Sequence, residues 1–381
     1  MKKNFLAIVI FSAFMATAGS AQAASLSQVG DLSSDAVSGK LMKYHGSLYT
    51  LTSSAEEGGP MSVYQSDADF ENWVDVSAEE TIFSEAVNSL TQLDFIRLYR
   101  GNFFLFGKNT AGDIEIWRKP SKSEDDFTKI STDFSPDSEI TAVINKRTSP
   151  KQRVYKRRHP QGAPGRANQL IVITSSDEGA KLYTSKNGTS WNQAGVNGLI
   201  DDTVSNVTSV FRMPLGGSQK LIAGTSDGRL LISSISDLST WEELEGWSSV
   251  DSSEVTAINA QSGKLVVATL DSDNQVRVYQ SNLGSTSFEQ VGDTGLGNDN
   301  TAQVTHLTKF MSKGPLFAAT ENGTDGAELY RWNHKDKEWV LVAGTDNENF
   351  ALFSNVLRFK GTRYMLAENT IDGAEVFRLS K

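Results

Sequence analysis

The sequence predicts an all-β fold built from repeated four-stranded sheets, and three observations predict it. Seven short apolar runs share one pattern, Gly, Asn, Asp and Ser turns punctuate the chain between them, and no stretch sustains a helical period. The runs are LYTLTS from Leu48, FFLFGK from Phe103, LIVITS from Leu170, LIAGTS from Leu221, LVVATL from Leu265, LFAATE from Leu316 and YMLAEN from Tyr364. They stand about 44 to 67 residues apart, the length of a four-stranded unit.

A strand precedes each run, as in VTAINA from Val255, VTHLTKF from Val304 and VLRFK from Val356, with tight turns at Gly46, Gly101, Gly263, Gly314 and Gly361. These are the expected innermost strands. After each run an acidic or glycine turn leads into another strand, marked by Tyr64, Trp117, Tyr183, Ile232, Tyr279, Tyr330 and Phe377. The repeat is plainest where ENGTDGAELYRW from Glu321 returns as ENTIDGAEVFRL from Glu368. Eight to ten residues later an aromatic opens the outer strand at Trp73, Phe127, Trp191, Trp241, Phe288 and Trp339, filling the space between neighbouring sheets. The seventh unit stops at Lys381 before its outer strand, while SLSQVGD at Ser25 matches SFEQVGD at Ser287, itself an outer strand, in five of seven positions. The expectation is a seven-bladed β-propeller with four-stranded blades, its ring closed by the N-terminal strand completing the last blade so that no edge is left free.

Lys2 and Lys3 precede an apolar run from Phe5 to Ala18 that is too short to span a bilayer, and Ala21, Gln22 and Ala23 supply a small-x-small cleavage pattern. Residues 1–23 therefore read as a signal peptide and 24–381 as a single propeller domain, exported to the periplasm or the extracellular space. With no cysteine, the chain lacks disulfides, thiolate metal ligands, a cysteine nucleophile and a lipid-modified cysteine. The formal charge of −10 becomes more negative once Lys2 and Lys3 are removed, which favours solubility and argues against general nucleic-acid binding.

The hairpins resemble those of the Asp-box (bacterial neuraminidase repeat) propellers, whose pattern is close to S-x-D-x-G-x-T-W. SKNGTSW from Ser185 to Trp191 is the best copy, with Asn187 in place of the aspartate and one residue missing. The resemblance implies a structural turn clip and an architecture that serves sialidases, other glycosidases, assembly factors and non-catalytic receptors alike. FRMP from Phe211 is similar to the F/Y-R-I-P signature of sialidases but falls in the middle of the chain.

Other chemical motifs fit structural roles. The G-x-S-x-G at Gly224 to Gly228 is followed by a strand where a nucleophile elbow needs a helix. His45, His159, His306 and His334 show no metal-binding spacing, and His306 alone falls on an expected innermost strand.

Two charged features remain as candidate sites. The turn after each landmark run carries Glu57, Asp113, Asp177, Asp227, Asp273, Asp325 or Asp372, a recurrence that forms an acidic collar for cations, basic peptides or Ca²⁺, or else reflects the needs of tight turns. The second is an insertion at about 146–168, RTSPKQRVYKRRHPQGAPGRAN, in which Arg147, Lys151, Arg153, Lys156, Arg157, Arg158 and Arg166 have no acidic neighbour. Such a loop either docks on an anionic polymer or partner, or is a tolerated surface insertion.

The reading is an exported, non-catalytic binding or scaffold propeller that recognises carbohydrate or protein, with no cofactor required and no integral membrane span. One alternative is a glycan-active hydrolase or lyase using two carboxylates at the channel mouth. A second is a structural or assembly factor of the cell envelope.

Overall fold

Period-two alternation of apolar residues, broken by positive-φ turns, folds the chain into consecutive antiparallel strands, twenty-eight among the described residues. The computed structural model describes residues 25–33, 35–56, 58–78, 83–122, 125–130, 134, 138–146, 169–201, 203–309, 314–345, 347–369 and 373–380. The expected signal peptide, the basic residues from Arg147 to Arg166, and Glu57, His159 and Asp372 lie outside them.

Strand β1 (Ser25–Asp31) precedes a first sheet of β2 (Ala36–Tyr44), β3 (Ser47–Ser54), β4 (Ser62–Ser66) and β5 (Trp73–Asp75). A second holds β6 (Leu90–Tyr99), β7 (Asn102–Asn109), β8 (Ile114–Pro120) and β9 (Thr128–Ile130). A third holds β10 (Glu139–Lys146), β11 (Gln169–Ser175), β12 (Lys181–Ser185) and β13 (Asn192–Ala194). The fourth is β14 (Val207–Leu215), β15 (Ser218–Thr225), β16 (Leu230–Ser234) and β17 (Asp237–Glu243), and the fifth is β18 (Glu254–Gln261), β19 (Lys264–Leu270), β20 (Val276–Asn282) and β21 (Glu289–Gln290).

The remaining strands form one eight-stranded sheet. It consists of β22 (Gln303–Thr308), β23 (Phe317–Glu321), β24 (Glu328–Asn333) and β25 (Glu338–Gly344), joined through the single pair Glu321 and Leu352 to β26 (Phe350–Phe359), β27 (Thr362–Asn369), β28 (Glu375–Ser380) and β1. Leu26 pairs with Leu379 and Gln28 with Phe377, so β1 runs antiparallel to β28.

The first strands β2, β6, β10, β14, β18, β22 and β26 touch one another in that order, and β26 touches β2. Seven apolar clusters follow the same cycle, each shared by two successive groups of strands. The cluster that joins the last strands to the first packs Tyr364, Leu366 and Val376 against Leu41, Leu48 and Tyr64.

All seven landmark runs are second strands, as expected, and the aromatics Phe127, Trp241 and Trp339 are buried between sheets. One assignment shifts by a residue. In the fourth sheet Leu231, facing Ala223, occupies the place that Tyr279 takes against Val267 and Tyr330 against Ala318. Ile232, the residue read from the sequence, therefore points to the opposite side of its sheet, because strand side chains alternate.

The twin VGD segments have a steric cause. A Cβ on Gly30 would come within 2.3 Å of the Trp73 ring, and one on Gly292 within 2.5 Å of the Trp339 ring. In both places the outer-strand tryptophan of the next sheet packs against the glycine and leaves no room for a Cβ.

Candidate functional site

Every first strand begins with a register break, at Ala36/Ser38, Leu90/Gln92, Ile140/Ala142, Val207/Ser209, Val255/Ala257, Val304/His306 and Phe350/Leu352. The extra residue is threonine in five of them, and in four the hydroxyl returns to the neighbouring strand: Thr91 donates to the Lys108 carbonyl at 3.4 Å, Thr141 to Ile173 at 3.3 Å, Thr208 to Gly224 at 3.2 Å and Thr305 to Ala319 at 3.2 Å. A bulge turns side chains off the sheet plane, and here it does so at the inner edge of each sheet.

Between some neighbouring first strands, side chains cap the edge carbonyls of the adjacent strand. Arg97 donates to Val143 at 2.8 Å, Asn145 to Leu98 at 3.0 Å, Arg212 to Asn145 at 2.7 Å and Asn259 to Leu307 at 2.6 Å. Arg212, the arginine of the FRMP segment, is thus a structural staple.

Where the last sheets meet the first, ionisable groups gather instead. Lys40 on β2 acts electrostatically on Asp94 of β6, Glu368 of β27 and His306 of β22. Burial pushes the Asp94 carboxyl up to about 6, against the pull of the Gln92 amide, which donates to Asp94 Oδ1 at 2.6 Å, and of Lys40. Asp94 Oδ2 is buried without a hydrogen-bond partner. Burial also raises Glu368, and Lys40 itself is pulled down by desolvation more than Glu368 and Asp94 hold it up. His306 is exposed on its strand, yet the surrounding protein and then Lys40 push its imidazole down to about 4, so it is neutral at neutral pH. Of the other histidines, His45 shares a hydrogen bond with the Ser121 carbonyl at 3.2 Å, and His334 accepts one from Trp332 Nε1 at 3.1 Å.

The acidic turns lie at the end of the sheets where the first strands begin. Asp113, Asp177, Asp227, Asp273 and Asp325 are all exposed there, each on a different sheet. The turns close by side-chain clips. Asn109 Oδ1 accepts the amides of Ala111 and Asp113 at 2.9 and 3.0 Å, Asp271 Oδ1 those of Asp273 and Gln275 at 2.9 and 2.8 Å, and Asn322 Oδ1 those of Thr324 and Asp325 at 3.0 and 2.9 Å.

Beneath the turns lies a complementarity that sequence reasoning missed. The residue two places before the third-strand landmark is Glu115 or Glu328 where the clip is asparagine, and these carboxylates accept from Asn109 at 3.0 Å and Asn322 at 3.2 Å. It is basic where the turn brings an acid: Lys181 pairs with Glu178 at 2.7 Å, Arg229 with Asp227 at 2.7 Å and Arg277 with the fully buried Asp271 at 2.5 Å. Burial works against the ionised forms of Asp227 and Asp271. Arg229 outweighs it at Asp227, and backbone amides with Arg277 do so at Asp271, so both carboxyls stay below the usual range. Hydrogen bonds from Asn300 and Asn298 likewise hold Asp325 down. Part of the acidic collar is thus neutralised within its own sheets, and no group of three or more His, Asp or Glu able to hold a metal ion occurs among the described residues.

The SKNGTSW turn joins third and outer strands. Ser185 Oγ accepts the Gly188 amide at 2.7 Å, and Asn187 Oδ1 accepts those of Thr189 and Ser190 at 2.9 and 3.0 Å. Asp67, Asp237 and Asn333 make the corresponding clip to Glu71, Ser239 and Lys335 in other sheets. Ser226 of the G-x-S-x-G segment sits exposed in a hairpin closed by Thr225 Oγ1, which accepts the Arg229 amide at 2.8 Å.

No family model matches the chain, and no curated protein matches it. Among solved structures, 986 chains match, so the architecture is too widely shared to indicate an activity. The crystal structure of Sqt1 from Saccharomyces cerevisiae, a WD40 β-propeller protein, is similar over 93% of this chain and 99% of its own, with a TM-score of 0.54 and 11% sequence identity. The likeness is one of fold: the chain is an all-β, propeller-like assembly of four-stranded units.

Proposed function

We propose that the protein is a seven-bladed propeller, closed by β1 in the last blade, that is exported and serves as a non-catalytic platform for a protein partner. The cyclic order of first strands and apolar clusters supports the ring. The SKNGTSW clip supports kinship with the Asp-box propellers. The observation that carries the binding role is that five sheets each present an exposed turn carboxylate at one end of the molecule, an arrangement suited to a basic protein surface. Replacing Asp113, Asp177 and Asp273 together by asparagine is expected to leave the melting temperature unchanged and to remove a partner recovered from envelope extracts. Recovery of the same partner at the same salt concentration would overturn the reading. A glycan array on the same protein decides between protein and carbohydrate as the ligand.

The basic insertion is proposed as a second contact, with an anionic polymer or surface. Deleting Arg147 to Ala167 should lower the salt concentration at which the protein elutes from heparin, and unchanged elution would remove this contact.

A catalytic reading has one specific observation in its favour. Asp94 and Glu368, both raised by burial on either side of Lys40, resemble the proton-holding carboxyl that glycoside hydrolysis requires. Hydrolysis of a glycan panel that disappears in Asp94→Asn would establish it in place of the platform.

A further inference from the structure

Five hairpins between first and second strands are two-residue turns with positive φ at both central residues: His45-Gly46, Arg100-Gly101, Gly216-Gly217, Ser262-Gly263 and Lys360-Gly361. The residue before each turn therefore occupies an equivalent place. In three sheets it is a buried aromatic. Tyr44 meets Phe103 of the next sheet with ring centroids 5.4 Å apart, Tyr99 meets Phe104 at 6.3 Å, and Phe359 meets Phe70 of the first sheet at 5.3 Å. In the fifth sheet the place is taken by the buried Gln261.

In the fourth sheet it is Leu215, half-buried, and beside it the fourth and fifth sheets leave a cavity of about 290 Å³. Its floor is apolar, made by the buried side chains of Met213, Ile222, Ile232 and Leu265, with the half-buried Phe288 on one side. Its rim carries two exposed carboxylates, Glu242 and Glu245, with Lys220 as the cation among the lining residues; Glu243, paired with Leu231, turns to the other face of the sheet. A large aromatic at position 215 would reach toward this space, as its counterparts do in the other interfaces.

We propose that this cavity is a docking site for one aromatic side chain of a partner polypeptide that carries a Lys or Arg on each side of it. The aromatic completes the packing that Leu215 leaves unfinished, burying roughly 150–250 Å². The flanking cations meet the rim carboxylates, which favours this occupant over an uncharged apolar segment. The site lies between two sheets and does not depend on the reading of the acidic turns.

The test uses the full chain with ¹³C-methyl methionine and the peptide N-acetyl-Lys-Trp-Lys amide as probe. The Met213 methyl resonance should shift and saturate on titration, while those of Met42, Met61 and Met365, buried in other interfaces, stay in place. Leu215→Tyr should fill the cavity, raise the melting temperature and weaken the probe by about tenfold or more. Glu242→Gln with Glu245→Gln, on the exposed rim, should weaken it by about threefold and flatten its salt dependence, and this pair keeps the test decisive if Leu215→Tyr does not fold. A stationary Met213 resonance, equal binding of N-acetyl-Ser-Trp-Ser amide, or unchanged affinity in the rim variant would overturn the proposal.

Discussion

At Asp94 the fold keeps a carboxyl in a setting that favours its protonated form. A carboxyl raised from 3.8 to about 6 binds its proton more tightly in the folded chain, so it costs nothing below the unfolded value and its full cost appears above pH 6. Stability should therefore fall as pH rises from about 4 to 6. Asp94→Asn removes the cost: the variant should match the parent near pH 3.5 and exceed it by about 1–2 kcal/mol at pH 7.5, after allowance for partial exposure to water. Urea midpoints at the two pH values read this directly, and a constant difference would show that Asp94 is not held this way. Asp271 is the opposite case, a buried carboxylate kept ionised by amides and Arg277, whose contribution is present above about pH 4 and lost on acidification through its depressed folded value. Asp271→Ala should cost about 2–3 kcal/mol at neutral pH, seen as a lowered melting temperature, because it strands the turn amides and the guanidinium together.

Between elements, the glycines beneath tryptophans set how closely neighbouring sheets approach. Gly30→Ala drives a methyl group into Trp73 and should destabilise by about 1–3 kcal/mol in urea unfolding, whereas alanine at Gly263, where nothing lies within 4 Å, faces only its positive φ. These junctions also show which parts of the fold are legible in sequence. Landmark runs such as LIVITS and LFAATE stand out because a fully buried second strand is continuously apolar, and the VGD copies stand out because one steric demand recurs. The charged residue two places before Tyr183, Tyr279 and Tyr330 was visible as Lys181, Arg277 and Glu328, but its rule appears only once each is matched to the clip it satisfies. Ile232 stood in for Leu231 because only the pairing of Leu231 with Ala223 fixes the register. Lys40, Asp94 and His306 carry no shared motif, since they sit on three different strands and only the meeting of first strands brings their charges together.

On the scale of the whole molecule, the two charged features identified in the sequence belong to opposite ends of the sheets. The acidic turns follow the second strands, while the basic insertion leaves from Lys146 and returns at Gln169, paired at the far end of β10 and β11 from Glu139 and Ser175. Integrity rests on β1. Deleting Ser25 to Asp31 bares the edge of β28 and takes Val29 out of the cluster shared with Tyr364, so the shortened chain should melt at lower temperature and self-associate on size-exclusion chromatography. The pairing of β1 with β28 also governs the order of events at birth. Ser27 donates a hydrogen bond to the carbonyl of Arg378, 351 residues later, so the strand that is synthesised first has no template until the last has emerged. Pairing segments so distant in sequence is entropically costly and slow. Until β28 has been synthesised, β1 therefore stays without its edge partner, which makes this pairing a late step in folding.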